Sequence, residues 1–236
     1  MSETLYFHSF IPHKHRLMTL VGFIRTHISD TIIVGCNGTS TTKFLSIFFN
    51  NLDIRAGSIS GKMPTKAAPE EPPELMPELI RKELQRFNEG ELKLIFVSQQ
   101  LLPSYDFIKP KYFLQYDIPS KTIDEIKIIN HLKPDKFVLF LDKSQEKYVT
   151  DFERDAKIES KELPFNEKKI PNIYDELEKL LKKSFPLYES SEKAYRELIR
   201  TYVNHENKDI FCARQLPLLD VAHSFGIKAP PKLPLE

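Results

Sequence analysis

The stretch LKLIFVSQQLLPSYDFIKPKYFLQYDIP, residues 92–119, decides how the rest of the chain is read. Leu94 to Val97 is a short continuous apolar run, the pattern of a strand buried on both faces of a parallel sheet. Tyr112 to Tyr116 is a second run of the same kind. Read as parallel neighbours, the two strands place their connecting loop at the carboxyl edge of the sheet, where open α/β folds keep their ligand sites. That loop holds one acid, Asp106, and neither histidine nor glycine. It is a good address for chemistry with few chemical groups in it.

Outward from this centre, apolar strands alternate with helical periodicities. Leu5 to Ile11 reads as a strand, His15 to His27 as a helix and Thr31 to Cys36 as a strand. Asn37-Gly38-Thr39-Ser40 is a turn and helix start, and Phe44, Leu45, Phe48, Phe49 and Leu52 give the following helix a buried stripe. Ile54 to Ile59 is a weaker strand ending at Gly61-Lys62. Residues 63–76 are rich in proline and glutamate and read as a loop or insertion, because proline denies them a ladder or a helix interior. A helix from Pro77 to Asn88 precedes the central stretch. A helix over Thr122 to Asn130, a strand over Lys136 to Leu141 and an exposed helix over Lys143 to Asp155 follow it. Such alternation predicts a parallel α/β sheet with helices on both faces. Ile158 to Leu163 is one last strand or an extended tether. From Pro171 the periodicity is helical throughout, with Gly226 at the end of the last helix. The division expected is an α/β domain over 1–145, a connecting helix and tether over 146–170 and a helical extension over 171–236.

Bulk composition narrows the function little. The 236 residues carry a net charge of +1, with 41% hydrophobic and 28% charged residues, ordinary values for a globular protein. Whole-molecule charge therefore selects neither nucleic acid nor membrane. No apolar run approaches the ~20 residues of a membrane span. Cys36 and Cys212 stand far apart in no metal spacing, which fits an intracellular, reducing compartment. Seven glycines leave few backbone loops able to cradle a phosphate.

With the elements in order, the chain resembles the second RecA-like domain of a DEAD-box RNA helicase. It also resembles the C-terminal extension of the nucleolar members that act in large ribosomal subunit assembly. The extension carries the longest match: Tyr195, Tyr202, Asn204, His205, Ile210, Phe211, Ser224, Phe225, Gly226, Pro230, Pro231 and Lys232 fall in the subgroup's order. In the body, DTIIVGCNGT, ISGKM and LQYDIP are similar to family motifs. The catalytic motifs depart. Where the family has T-D-x-A-A-R-G-x-D, this chain runs from Ser98 to Asp106 without the first acid, the arginine or the glycine. Where it has H-R-x-G-R-x-G-R, this chain has Lys127 to Pro134, so both arginines that would reach a γ-phosphate have become other residues. An arginine finger is worth ~10³–10⁵ in rate, and neither lysine nor histidine reproduces its planar fork. Neither a G-x-x-x-x-G-K-[ST] loop nor a D-E-A-D sequence occurs.

The resemblance implies an RNA-binding module without catalytic residues, working in ribosome assembly in the nucleus or nucleolus. Its partners would be RNA, ribosomal by the subgroup, and pre-ribosomal proteins, with no membrane. No cofactor is expected, ATP entering only if a separate first lobe supplies its site. The alternatives are a protein-interaction scaffold and the C-terminal lobe of an active helicase. As RNA contacts the resemblance points to Asn37, Gly38, Thr39, Gly61, Lys62 and Ser98. Each has a plainer reading: a capped helix start for residues 37–39, a turn with a solvated charge for Gly61-Lys62, a satisfied hydroxyl for Ser98. Asp106, lacking its companions, reads as a hydrogen-bonding residue. His13 and His15, flanking Lys14, read as exposed loop residues rather than metal ligands. Lys193, Arg196 and Arg200 share one helical face, either a basic contact for RNA or a solvated surface balanced by Glu189, Glu192 and Glu197.

Overall fold

Every apolar run named above that is described pairs in parallel with a neighbour, and none leaves a long edge exposed. The structure, a computed structural model, describes residues 3–61 and 75–230. Along the chain lie β1 (Leu5–Phe10), α1 (Arg16–Thr26), β2 (Ile32–Cys36), α2 (Thr39–Asn51), β3 (Ala56–Ile59), α3 (Leu75–Asn88), β4 (Leu94–Ser98) and β5 (Tyr112–Gln115). They are followed by α4 (Thr122–Leu132), β6 (Lys136–Leu141), α5 (Glu146–Ala156), β7 (Lys161–Glu162), α6 (Tyr174–Lys183), α7 (Phe185–Asn204) and α8 (Leu218–Ser224). Among the described residues seven strands form one sheet in the order β3-β4-β2-β5-β6-β1-β7, every pair parallel. The fold is the expected parallel α/β sheet with helices on both faces and a helical extension.

One neighbour relation is corrected. β4 and β5 are not adjacent; β2 lies between them, with Ile33 opposite Ile95 on one side and Phe113 on the other. All five residues of β2 are buried, so it can take partners on both edges and layers on both faces. The β4–β5 connection therefore passes over the carboxyl end of β2, where Asn37 and Gly38 begin the turn into α2.

The exposed helix read over residues 143–155 is one-sided. Tyr148, Val149 and Phe152 of α5 are buried against the body, and the next residues add the two-residue strand β7 beside β1. Most of the proline-rich insertion, residues 63–74, lies outside the described residues.

The extension docks through α7, which lies along α2. Phe225, at the end of α8, stands 5.4 Å from Phe44 of α2 and 6.4 Å from Tyr195 of α7, ring to ring. Ser191 Oγ donates to the Phe225 carbonyl at 2.9 Å. Gly226 takes φ +73°, and a Cβ there would meet Leu177 and Leu181 of α6. Backbone conformation and space both require glycine at that position. Among the described residues no helix is long and apolar enough to cross a membrane.

Candidate nucleic-acid interface

The start of α2 lacks the ordinary local devices. Its N-cap residue is Gly38, in an extended conformation, with no side chain to cap the helix and no acid in the first turn. The N–H groups of a first turn have no partner within their own helix. Here they are met from 157 residues downstream: Glu197 of α7 accepts from Ser40 N–H at 2.9 Å and from Thr41 N–H at 3.0 Å, both on Oε2. A carboxylate also suits the positive end of the helix dipole. A Cβ on Gly38 would overlap this carboxylate, so the glycine makes the approach possible.

Beside it, side-chain amides knit the strand ends together. Asn37 Nδ2 donates to Ile118 O at 2.6 Å, and Asn37 Oδ1 accepts from Gln99 Nε2. Gln115 Nε2 donates to Gln99 Oε1 at 2.7 Å. Beneath this net lies Arg16, 4% exposed, which donates to the carbonyls of Tyr116 and Phe140 and stands 3.9 Å from Asp117. Burial raises the Asp117 carboxyl above its usual range, and the Arg16 charge and the Asn37 N–H pull it back. The sequence reading missed Arg16 because one cation at a helix start carries no periodic signal.

On the other side of Glu197 the surface opens into a groove of about 530 Å³ lined by Ser40, Lys193, Arg196, Glu197, Arg200, Thr201 and Asn204. Lys193 pairs with Glu189 at 2.8 Å; among the described residues Arg196 and Arg200 have no ion pair. Glu197 does not act as a surface counter-charge here. It points its carboxylate at α2.

Asn37, Gly38 and Thr39 precede Ser40 of the groove, and Asn37 and Gly38 line a neighbouring small cavity with Arg16, Asp117 and Glu197. Asn37 is tied into the amide net, and the helix start is capped by a distant carboxylate. Ser98 is fully buried, its hydroxyl 3.2 Å from Thr42 Oγ1. Gly61 is buried, and its carbonyl accepts from Gln100 Nε2 at 2.8 Å. Lys62 lies outside the described residues. Asp106 is exposed, and its main-chain carbonyl accepts from Asn88 Nδ2 at 2.9 Å. Ile128 is 2% exposed, and His131 Nε2 lies 2.9 Å from the Tyr105 carbonyl.

His13 and His15 are a correction. They are 2% and 6% exposed, not loop residues in water. The short 3₁₀ turn that carries them is covered by the tether and the extension: His13 lies edge-on to Tyr202, and His15 packs on Phe165 and reaches Glu167 at 3.2 Å. Burial, with Arg16 nearby, pushes His13 down to about 4 despite the opposing Asp142. Among the described residues no group of three or more His, Cys, Asp or Glu could hold a metal.

Comparison with known proteins fits this architecture. Residues 185–233 match the family described as "ATP-dependent rRNA helicase SPB4-like, C-terminal extension". DEAD-box ATP-dependent RNA helicase 51 of Arabidopsis thaliana is 28% identical over 96% of this chain and 38% of its own length. DEAD-box ATP-dependent RNA helicase 27 of Oryza sativa is 27% identical over 96% of this chain and 37% of its own length. The chain thus spans well under half the length of these relatives. Among solved structures, domain 2 of the DEAD-box helicase Mss116p bound to an RNA duplex superposes with a TM-score of 0.68 at 17% identity, covering 96% of this chain and 86% of that one. The C-terminal domain of the DEAD-box protein Dbp5 gives 0.56 at 13% identity, over 78% of this chain and 99% of that one. Along nearly its whole length the chain is therefore similar to the second RecA-like domain of DEAD-box ATP-dependent RNA helicases, followed by an extension similar to that of the SPB4-like group.

Proposed function

We propose that this chain binds RNA through the α7 groove and the adjoining start of α2, as a non-catalytic factor in nucleolar ribosome assembly. The observation that carries the reading is the placement of Lys193, Arg196 and Arg200 around an open groove at a helix N-terminus. Cations and backbone N–H groups there can hold phosphates without reading bases. The similarity of residues 185–233 to an rRNA-helicase extension supports the ribosomal part. Ile128, His131 and Pro134, at the positions where the resemblance puts arginines, support the non-catalytic part. None offers a guanidinium to a phosphoryl group.

The test is binding of a fluorescein-labelled oligouridylate by anisotropy across a salt series. Three phosphate contacts on a single strand predict a log–log slope of about −2. Absence of binding, or binding indifferent to salt, refutes the proposal. A second reading is favoured by length: the chain matches only 38% of its Arabidopsis relative, so it can be the C-terminal lobe of a working helicase. Adding a first lobe, RNA and ATP and measuring phosphate release separates the two, since robust turnover contradicts the non-catalytic reading.

A further inference from the structure

We propose that Phe185 and Tyr188 form a stacking platform for unpaired bases, so that RNA running along α7 is held there as a single strand. The proposal rests on the RNA reading above and names the kind of RNA it takes.

The first observation is where the exposed rings lie. The chain has 17 phenylalanines, 9 tyrosines and no tryptophan. All of them fall among the described residues, and all but two are buried or half-buried. The two are Phe185, 73% exposed, and Tyr188, 44% exposed. They stand three apart in the first turn of α7, neighbours on a helix surface, with the exposed Pro186 between them. A single ring in water needs no explanation, but the chain's two exposed rings side by side mark a contact surface.

The second observation is what surrounds them. Phe185, Glu189, Glu192, Arg196 and Arg200 follow one another at spacings of three and four and so share one face of α7. Along the helix Arg196 lies about 16 Å from Phe185 and Arg200 about 22 Å. Each acid on this face is engaged within the chain. Glu189 pairs with Lys193 at 2.8 Å, Glu192 accepts from the Tyr188 hydroxyl at 3.0 Å, and Glu197 caps α2. Among the described residues Arg196, Arg200 and the exposed Lys183 have no ion pair.

Rings at one end of a face and free cations at both ends fit a nucleic-acid strand, phosphates on the cations and bases on the rings. A duplex offers the same phosphates but keeps its bases stacked inside, so the rings add affinity only for unpaired bases. The Tyr188–Glu192 hydrogen bond holds one ring on the helix surface before any base arrives, which lowers the cost of ordering it on binding.

The experiment uses the whole chain and three fluorescein-labelled RNA probes of one length: a single strand, the same strand with abasic sites, and its duplex. Anisotropy is measured across a salt series. Wild type is expected to bind the single strand roughly tenfold tighter than the abasic strand or the duplex. Phe185→Ala combined with Tyr188→Ala is expected to erase that advantage and to leave both the salt slope and the urea midpoint unchanged. Phe185→Trp supplies the chain's one tryptophan, and the single strand is expected to quench its emission while the abasic strand does not. Equal binding of single and abasic strands by wild type, with salt dependence retained, overturns the platform and leaves the RNA reading intact. Tryptophan emission unmoved by bound single strand does the same, and leaves the two rings to a protein partner. Failure of wild type to bind any of the three probes overturns the RNA reading and the platform with it.

Discussion

Two helix starts in this molecule solve one problem in opposite ways. After β6, Asp142 accepts from Ser144 N–H at 3.0 Å while Gln145 Oε1 accepts from Asp142 N–H at 2.9 Å. This capping box is closed by two residues three apart. At α2 nothing local closes the end, and Glu197 arrives from 157 residues away. The first is a property of a tetrapeptide. The second exists only while the extension is docked, so it can report on docking.

The largest expected effect comes from removing what seats the extension. Phe225→Ala empties a site packed against Phe44 and Tyr195. It should lower the unfolding free energy by about 3–5 kcal/mol, measured by urea denaturation. The Ser40 and Thr41 amides should lose hydrogen-exchange protection while Ser144 keeps its own. Equal loss at both helix starts would erase the contrast.

Acid should act next, on the same seam. The folded His13 is pushed down to about 4 from an ordinary 6.5. Between those values the unfolded chain binds the extra proton, so stability falls as pH drops from 6.5 to 4 and is flat in this respect above 6.5. The loss should be on the order of 2–3 kcal/mol. His13→Gln should flatten the profile in that window; an unchanged profile would mean the seam does not titrate through His13.

Gly38→Ala alone should cost about 1 kcal/mol. It expels the Glu197 cap, worth about 1–2 kcal/mol, and recovers part of that by stiffening the unfolded chain. In a Glu197→Ala background the same change should stabilise, and a double-mutant cycle of denaturation midpoints measures that reversal of sign. The smallest effect is expected at the local cap: Asp142→Ala should cost about 0.5–1 kcal/mol and leave RNA affinity unchanged.

What could be read from residues alone follows the same division. The stripe Phe44, Leu45, Phe48 and Phe49 announces α2 because its period is local, and all four are buried. The runs at 94–97 and 112–116 announce strands for the same reason. Which strand lies between them is set by hydrogen bonds to β2, some sixty to eighty residues earlier in sequence, and no window on the chain contains that information. His13 and His15 looked like polar-turn residues because the rings that bury them, Tyr202 and Phe165, belong to later segments. Glu197 looked like a counter-charge in a basic stripe. The available clue was at the other end: a helix beginning Gly-Thr-Ser-Thr-Thr with no acid in its first turn is short of an anion.

The far border of the sheet has its own consequence. β7 is two residues long, Lys161 and Glu162, both exposed, and it is pinned by Leu163 N–H donating to the His8 carbonyl at 2.7 Å and by Ser9 Oγ donating to the Leu163 carbonyl at 2.8 Å. A ribbon so brief and so charged gives another chain no ladder to extend. On that side the wide apolar sheet is sealed against edge-to-edge aggregation.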